Sequence, residues 1–308
     1  MAALEDLKAL DLAQAQVVLW TVKGPTGPAA DAPRYSGRWI DTTDEVDAVL
    51  KEILAADLAK IEEVLDYGLL AQNNEASALT IGFDETHADQ LLQELAAELP
   101  KKKASSVKHL LNAKFYVAKF VVGQQVIYAV RKTEEGWKTK RALNVRDLYF
   151  ADEQMGLDDR PHFQLSKNFD FFIFGGEILV KSKNVFESFL RYKSEQRQEF
   201  VGLQAEAEFL EIFVDVAPLV AFVGDNKIQL RRACAIRDKG HYKDPLFMER
   251  LRNNQAEYGF GIQFDGQGKI IATLDTCAQI MKALLDHRLK SGFSTLIYDV
   301  QDTTPVQI

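Results

Sequence analysis

The stretch 169–200, FDFFIFGGEILVKSKNVFESFLRYKSEQRQEF, constrains the fold more than any other part of the chain. An aromatic run from Phe169 to Phe174 meets Gly175-Gly176 and is followed by the apolar run Ile178-Leu179-Val180. Paired glycines supply the positive φ angles of a two-residue turn, so the spacing predicts a β-hairpin. The hydrophobic period then changes. Asn184, with Glu187 three residues on, reads as a helix start that puts Val185, Phe186, Phe189 and Leu190 on one face. A strand-turn-strand-helix unit this apolar must be buried, because so many aromatic rings are strongly disfavoured in water. The other elements have to build around it.

Upstream, residues 16–22 (QVVLWTV) read as a strand ended by the loop Gly24-Pro25-Thr26-Gly27-Pro28. Thr43 precedes Asp44, Glu45 and Asp47, an acidic first turn that suits the positive end of a helix. Its expected buried stripe is Val46, Val49, Leu50, Ile53, Leu54, Leu58, Ile61 and Leu65. Residues 79–83 form a brief strand. A second helix, capped by Thr86, turns Leu91, Leu92, Leu95 and Leu99 inward and stops at Pro100. Alternation over 113–122, 125–132 and 137–143, with turns between, predicts an antiparallel meander. The polar, proline-closed stretch 152–161 is the expected boundary between two halves, 1–154 and 155–308.

In the second half, 203–214 continues helical, and Pro218 and Gly224 break the chain. Asp225 then caps a basic helix that runs through Arg237, and Asp244-Pro245 opens another. A second hairpin folds around Gly266-Gln267-Gly268, followed by a helix over 276–287 and a strand over 294–300. The expected fold class is α+β, with antiparallel sheets flanked by helices.

Charge is unevenly placed along the 308 residues, whose net charge is −8. Residues 1–100 hold 6 Lys and Arg against 19 Asp and Glu, whereas 101–146 hold 12 against 2. One basic tract inside an acidic chain is the footprint expected of a polyanion partner. Lys101, Lys102, Lys103, Lys108, Lys138, Lys140, Arg141 and Arg146 are candidates to neutralise phosphates without reading base sequence. Arg231 and Arg232 form a second group and Lys181 and Lys183 a third, on the central unit itself. Tyr116, Phe120, Tyr128 and Trp137 interleave with the tract, although aromatic residues on strands serve the core more often than they stack on bases. The competing reading is that the tract balances the acidic N-terminal segment within the monomer.

Asp215, then Asp225-Asn226-Lys227, follows the Asp…Asp-x-Lys order of metal-dependent nucleases, but so short a string recurs by chance, and the favoured reading of Asp225-Asn226 is a turn and helix cap. The five histidines are dispersed without a helical i, i+4 pair, and Cys234 and Cys277 lack a metal or redox spacing. No P-loop, Gly-x-Ser-x-Gly or Gly-x-Gly-x-x-Gly motif occurs, so neither cofactor nor metal is expected. The N-terminal residues carry acids where a signal peptide needs a basic then apolar stretch, and no apolar run approaches ~20 residues.

Three segments together, 169–200, GHYKDPLFMERL (240–251) and YGFGIQFDGQGKIIA (258–272), resemble the domain that defines the cytosolic, KwaB-like subunit of the Kiwa antiphage defence system. The resemblance implies a role in phage defence and a membrane-embedded partner subunit. With the charge map, it leads to the expectation of a non-enzymatic, largely sequence-independent DNA-binding component. Such a protein would be cytoplasmic, peripheral to the inner membrane through its partner, and self-associating. Two alternatives stay open: a metal-dependent nuclease using Asp215, Asp225 and Lys227, and a scaffold whose basic tract meets an acidic protein surface.

Overall fold

The Phe-rich hairpin exists, and it lies inside a sheet of eight strands. A computed structural model describes residues 2–24, 35–82, 88–134, 137, 147–152, 154–158, 162–190, 192–294 and 296–300. They fall into two units, Met1–Asp66 with Gln72–Arg191, and Tyr67–Ala71 with Tyr192–Ile308.

The first unit begins with α1 (Ala2–Lys8), β1 (Gln16–Val22), β2 (Gly37–Ile40), α2 (Asp44–Ala59), β3 (Glu63–Asp66), β4 (Ser77–Gly82) and α3 (Ala88–Leu95). It continues through α4 (Val107–Leu110), β5 (Phe115–Val122), β6 (Gln125–Lys132), β7 (Asp147–Ala151) and β8 (Gln154–Asp158). The hairpin strands β9 (Phe171–Phe174) and β10 (Glu177–Val180) follow, then α5 (Lys183–Phe189). Sheet order is β2-β1-β5-β6-β9-β10-β4-β3, antiparallel except for the parallel pair β3–β4. Among the described residues, strands β7 and β8 pair only with each other.

Burial explains why β5 reads as a continuous apolar run. All six residues from Phe115 to Phe120 are buried, so both faces of the strand are covered. On one face Tyr116, Ala118 and Phe120 join Phe172 and Phe174 in a cluster with Leu50, Leu54 and Leu58 of α2 and with Leu4 and Leu7 of α1. On the other, Phe189 of α5 meets Phe115 edge-on at 4.2 Å, and Phe171 packs against Phe186 at 5.3 Å. Each such ring contributes roughly 1.5–3 kcal/mol on burial. Gly175 and Gly176 hold φ of 60° and 83°, the left-handed angles the tight turn requires.

Several boundaries differ from expectation. Helix α2 ends at Ala59, so Ile61 and Leu65 lie beyond it, Leu65 in β3, and Val49 faces solvent. Its apparent stripe had been counted across a helix–strand junction. Asn184 is inside α5, whose N-cap is Ser182, and Glu187 is buried in that helix. Residues 154–158 form a strand, whereas the division between units falls after Arg191. The reason is pairing: β9 hydrogen-bonds β6 and β10 hydrogen-bonds β4, which draws the hairpin into the first unit. Thr86 and nearly all of the third meander strand lie outside the described residues. Trp137 is described, and it is buried against Tyr116 with ring centroids 5.4 Å apart.

The second unit contains α6 (Tyr192–Leu203), α7 (Ala207–Glu211), β11 (Phe213–Asp215), α8 (Ala217–Val223), α9 (Lys227–Lys239) and α10 (Pro245–Asn254). After these come β12 (Gln263–Phe264), β13 (Ile270–Ile271), α11 (Cys277–Leu284), β14 (Arg288–Lys290) and β15 (Ile297–Asp299). The helices share a core that includes Phe209, Phe213, Val223, Leu230, Ile280 and Leu284. The helix expected over 203–214 is interrupted and gives way to β11. Pro218 lies in the first turn of α8, where the missing N–H costs nothing. Asp244 caps α10 as anticipated, accepting from Leu246 N at 2.9 Å.

Candidate nucleic-acid interface

Folding redistributes the charge of the basic tract. Lys102 Nζ lies 2.8 Å from Glu94 Oε2, and Lys103 pairs with Asp41 while resting 4.9 Å from the centre of the Trp39 ring. Lys119, in the middle of β5, is buried and reaches Glu98 at 2.7 Å. These three partners all come from the acidic segment 1–100. Arg131 donates to Asp170 Oδ1 at 2.8 Å, and Asp170 Oδ2 accepts from Lys132 N at 2.7 Å. Burial pushes the Asp170 carboxyl above its usual range, opposed by the Lys132 N–H and by Arg131. Part of the segregation in sequence is therefore cancelled in space.

Of the remaining candidates, Lys101 and Lys108 are exposed and make no ion pair among the described residues. Lys108 stands in the first turn of α4, where Ser106 Oγ accepts its N–H at 3.2 Å. Lys138, Lys140, Arg141 and Arg146 lie outside the described residues. Lys181 is held by the fully buried Asp57 at 2.6 Å, and Asp57 also accepts from Phe169 N at 2.5 Å. Lys183 is mostly covered and lies 4.0 Å from Glu187. Arg231 and Arg232 are half-buried on α9; burial pulls the Arg231 guanidinium downward, and Arg232 reaches Gln229 at 3.4 Å. Among the described residues, the three sequence-predicted groups are not gathered into one exposed cationic face. The aromatic residues of the tract serve the core, with Tyr116, Phe120 and Trp137 buried and Tyr128 half-buried.

A different set of lysines is brought together. Val22 pairs with Phe115 and Phe115 with Lys132, so β1, β5 and β6 reach one end of the sheet side by side. Lys23 follows β1, Lys114 precedes β5 and Lys132 closes β6; all three are exposed. Lys132 shares the face of its partner Phe115 and Lys114, one residue earlier, takes the opposite face, so the three cations flank this sheet end on both sides. Each lysine is visible in the sequence as a strand-terminal cation. Their adjacency depends on the sheet order, which no local pattern carries.

The residues of the nuclease alternative have structural tasks. Asp215 accepts from Ala217 N at 2.8 Å, and the exposed Asp225 pairs with Arg197 at 2.6 Å. The cap of α9 is Asn226, which accepts from Ile228 N and Gln229 N at 2.9 and 3.3 Å. The capping role predicted for Asp225 therefore falls one residue later, because the helix begins at Lys227. Among the described residues no three or more His, Cys, Asp and Glu side chains converge as a metal ion would need. Both cysteines are buried and free, their thiols pushed up by that burial.

Fold and site define the class: an α+β protein built on a helix-flanked sheet, with exposed lysines at one sheet end. The family described as "Kiwa protein KwaB-like" matches residues 110–293, more than half of the chain, and the chain belongs to that family. It is a component of Kiwa antiphage defence and works with other subunits of that system. No curated protein and no solved structure matches the chain.

Proposed function

We propose that the chain is a non-enzymatic, largely sequence-independent DNA-binding component of Kiwa defence. The observation that carries this reading is the cationic excess left in 101–146 after internal pairing. Lys101, Lys108, Lys114 and Lys132 stay exposed, Lys23 joins the last two at the sheet end, and Lys138, Lys140, Arg141 and Arg146 extend the same tract. Exposed lysines act as point charges that neutralise a phosphate backbone without contacting base edges. Lys102, Lys103, Lys181, Lys183, Arg231 and Arg232 contribute little, since their cations are already engaged or half-buried. Among the described residues no helix is long and apolar enough to cross a membrane, so attachment at the inner membrane is assigned to a membrane-embedded partner subunit. Self-association completes the assembly.

The test is a titration with duplex DNA at several salt concentrations. With about six phosphate contacts, log K should fall against log salt with a slope near −5. Changing Lys101, Lys108, Lys114 and Lys132 to Gln should remove about 3 to 4 units of that slope and leave the melting transition in place. An unchanged slope in the folded variant refutes the assignment. The internal ion pairs favour a second reading, a scaffold whose basic tract meets an acidic protein surface, as Lys102, Lys103 and Lys119 meet carboxylates within the chain. Absence of DNA binding with retained binding to the other Kiwa subunits selects it.

A further inference from the structure

The second unit contains a cleft of about 250 Å³ between α10, the segment around Tyr258 and Phe260, and α11. Its apolar walls are Phe247, Leu251, Tyr258, Phe260 and Ala283. Phe247 is backed by His241, stacked parallel at 4.6 Å, so that wall is held in place. Three cations border the space: Arg250, Lys282 and Arg288.

Hydrogen-bond capacity at the cleft is unbalanced toward donors. Gln255 accepts from Ile262 N through Oε1 at 3.2 Å, which leaves its amide NH₂ to donate. Arg250 is exposed and makes no ion pair among the described residues. Asp286 is the single carboxylate in the lining. Arg288 is immobilised: its guanidinium lies 4.3 Å from the centre of the Phe260 ring and donates to Tyr258 O and Gly259 O at 3.1 and 3.0 Å. A concave site with uncommitted donors at Arg250 and Gln255 and apolar walls suits an anion attached to a ring.

One anion is already there. Asp299 of β15 accepts from Lys282 Nζ at 2.5 Å and from Arg288 Nε at 2.7 Å, bridging two lining cations. Its side chain is 44% exposed, so water and solutes reach the pair. Among the described residues the strand that carries it pairs only with β14, and it is exposed along its length, including Ile297 and Tyr298. A two-strand ribbon of this kind is weakly held, and Asp299 is correspondingly easy to displace.

We propose that this cleft binds a small organic anion bearing a flat ring, the charged group taken by Arg250 and Lys282 and the ring set between Phe247 and Tyr258. Asp299 is the internal carboxylate that competes for Lys282. The volume, roughly eight water molecules, admits one ring with its charged group. The lining shares no residue with the lysines of the DNA-binding reading, and the proposal does not rest on that reading.

Calorimetric titration of the full chain tests this with four probes: adenosine monophosphate, benzoate, inorganic phosphate and adenosine. Adenosine monophosphate or benzoate, or both, should saturate and bind more tightly than phosphate or adenosine; which of them does identifies the anionic group. Arg250→Ala should weaken that binding about tenfold, the loss expected for one charge-assisted contact. Asp299→Asn should strengthen it severalfold by freeing Lys282. Failure of both ring-bearing anions to saturate, or binding unaltered by Arg250→Ala, overturns the proposal. Arg250 is exposed, so its variant decides the matter even if Asp299→Asn does not fold. Lys101→Gln/Lys108→Gln should bind the probe as the parent does; parallel loss there also counts against a separate site.

Discussion

In the first unit Asp57, Asp170, Glu187 and Lys119 are buried, and each has an oppositely charged partner within 4.0 Å. In the second unit Glu206, Asp299 and Glu257 meet their cations at the surface or just below it. A charge taken out of water is tolerable only when a partner and hydrogen bonds replace the solvent, so the interior pairs are expensive to break. The surface pairs remain solvated and are screened by salt. The same kinds of residue thus tie the base of the hairpin in one region and decorate the rim in the other. Asp57 receives Phe169 N and Lys181, while the Asp170 carbonyl accepts from Lys181 N and Ser182 N at 2.9 and 2.8 Å.

The largest effect should come from Asp57→Ala, which leaves Lys181 without its anion. Removal of one partner from a buried pair costs about 3–5 kcal/mol. Urea unfolding measures it, and a loss below about 1 kcal/mol would show that the buried pair does not hold the hairpin. The double variant Asp57→Leu/Lys181→Met sharpens the comparison: with no charge left behind, most of the stability should return.

Acid should separate the units next. Hydrogen bonds from Tyr242 and Arg237 hold the Glu206 carboxyl at about 2, against 4.5 in the unfolded chain. Arg288 and Lys282 hold Asp299 at about 2, against 3.8. Both are depressed, so their stabilisation is complete above the unfolded values and is lost as pH falls from there toward 2. Asp170 is raised by burial, so its protonation favours the folded state as pH falls below that raised value. Glu206 contributes about 1–2 kcal/mol after solvent screening, and the half-exposed Asp299 less. Amide exchange at about pH 3 should therefore show protection falling in α7 and α9 before β5 and β6. The reverse order would reject the assignment of acid sensitivity to the second unit.

The smallest effect is expected at Lys290, whose pair with Glu257 at 2.6 Å is exposed on both sides. Lys290→Ala should leave the thermal unfolding midpoint essentially unchanged, and added salt should erase any difference. A clear drop in the midpoint that survives added salt would remove the contrast between rim and interior.

Legibility followed range. The hairpin at Gly175-Gly176, the cap at Asp244 and the strand 16–22 are where the sequence places them, because each depends on residues within one turn. The cap of α9 was displaced by one position because Asp225 and Asn226 are both competent caps. The helix start that decides between them also depends on how Leu230 and Ala233 are buried. For the candidate interface, the sequence marks which cations exist. It does not show that Lys102, Lys103 and Lys119 are neutralised by the acidic segment, nor that Lys23 and Lys114 become neighbours.

Local chemistry alone determined that this chain would hold a buried aromatic hairpin followed by a helix, since period and turn residues act within a few positions and admit few alternatives. The spatial destination of the charges was decided by tertiary structure. Coulomb pairing acts across a few ångströms of space whatever the distance along the chain. Lys119 is 21 residues from the carboxylate it meets, Arg131 is 39 and Lys181 is 124. The order of the eight strands, with α2 and the segment after α3 packed against them, brings those ends together, and that arrangement is a property of the packed unit as a whole.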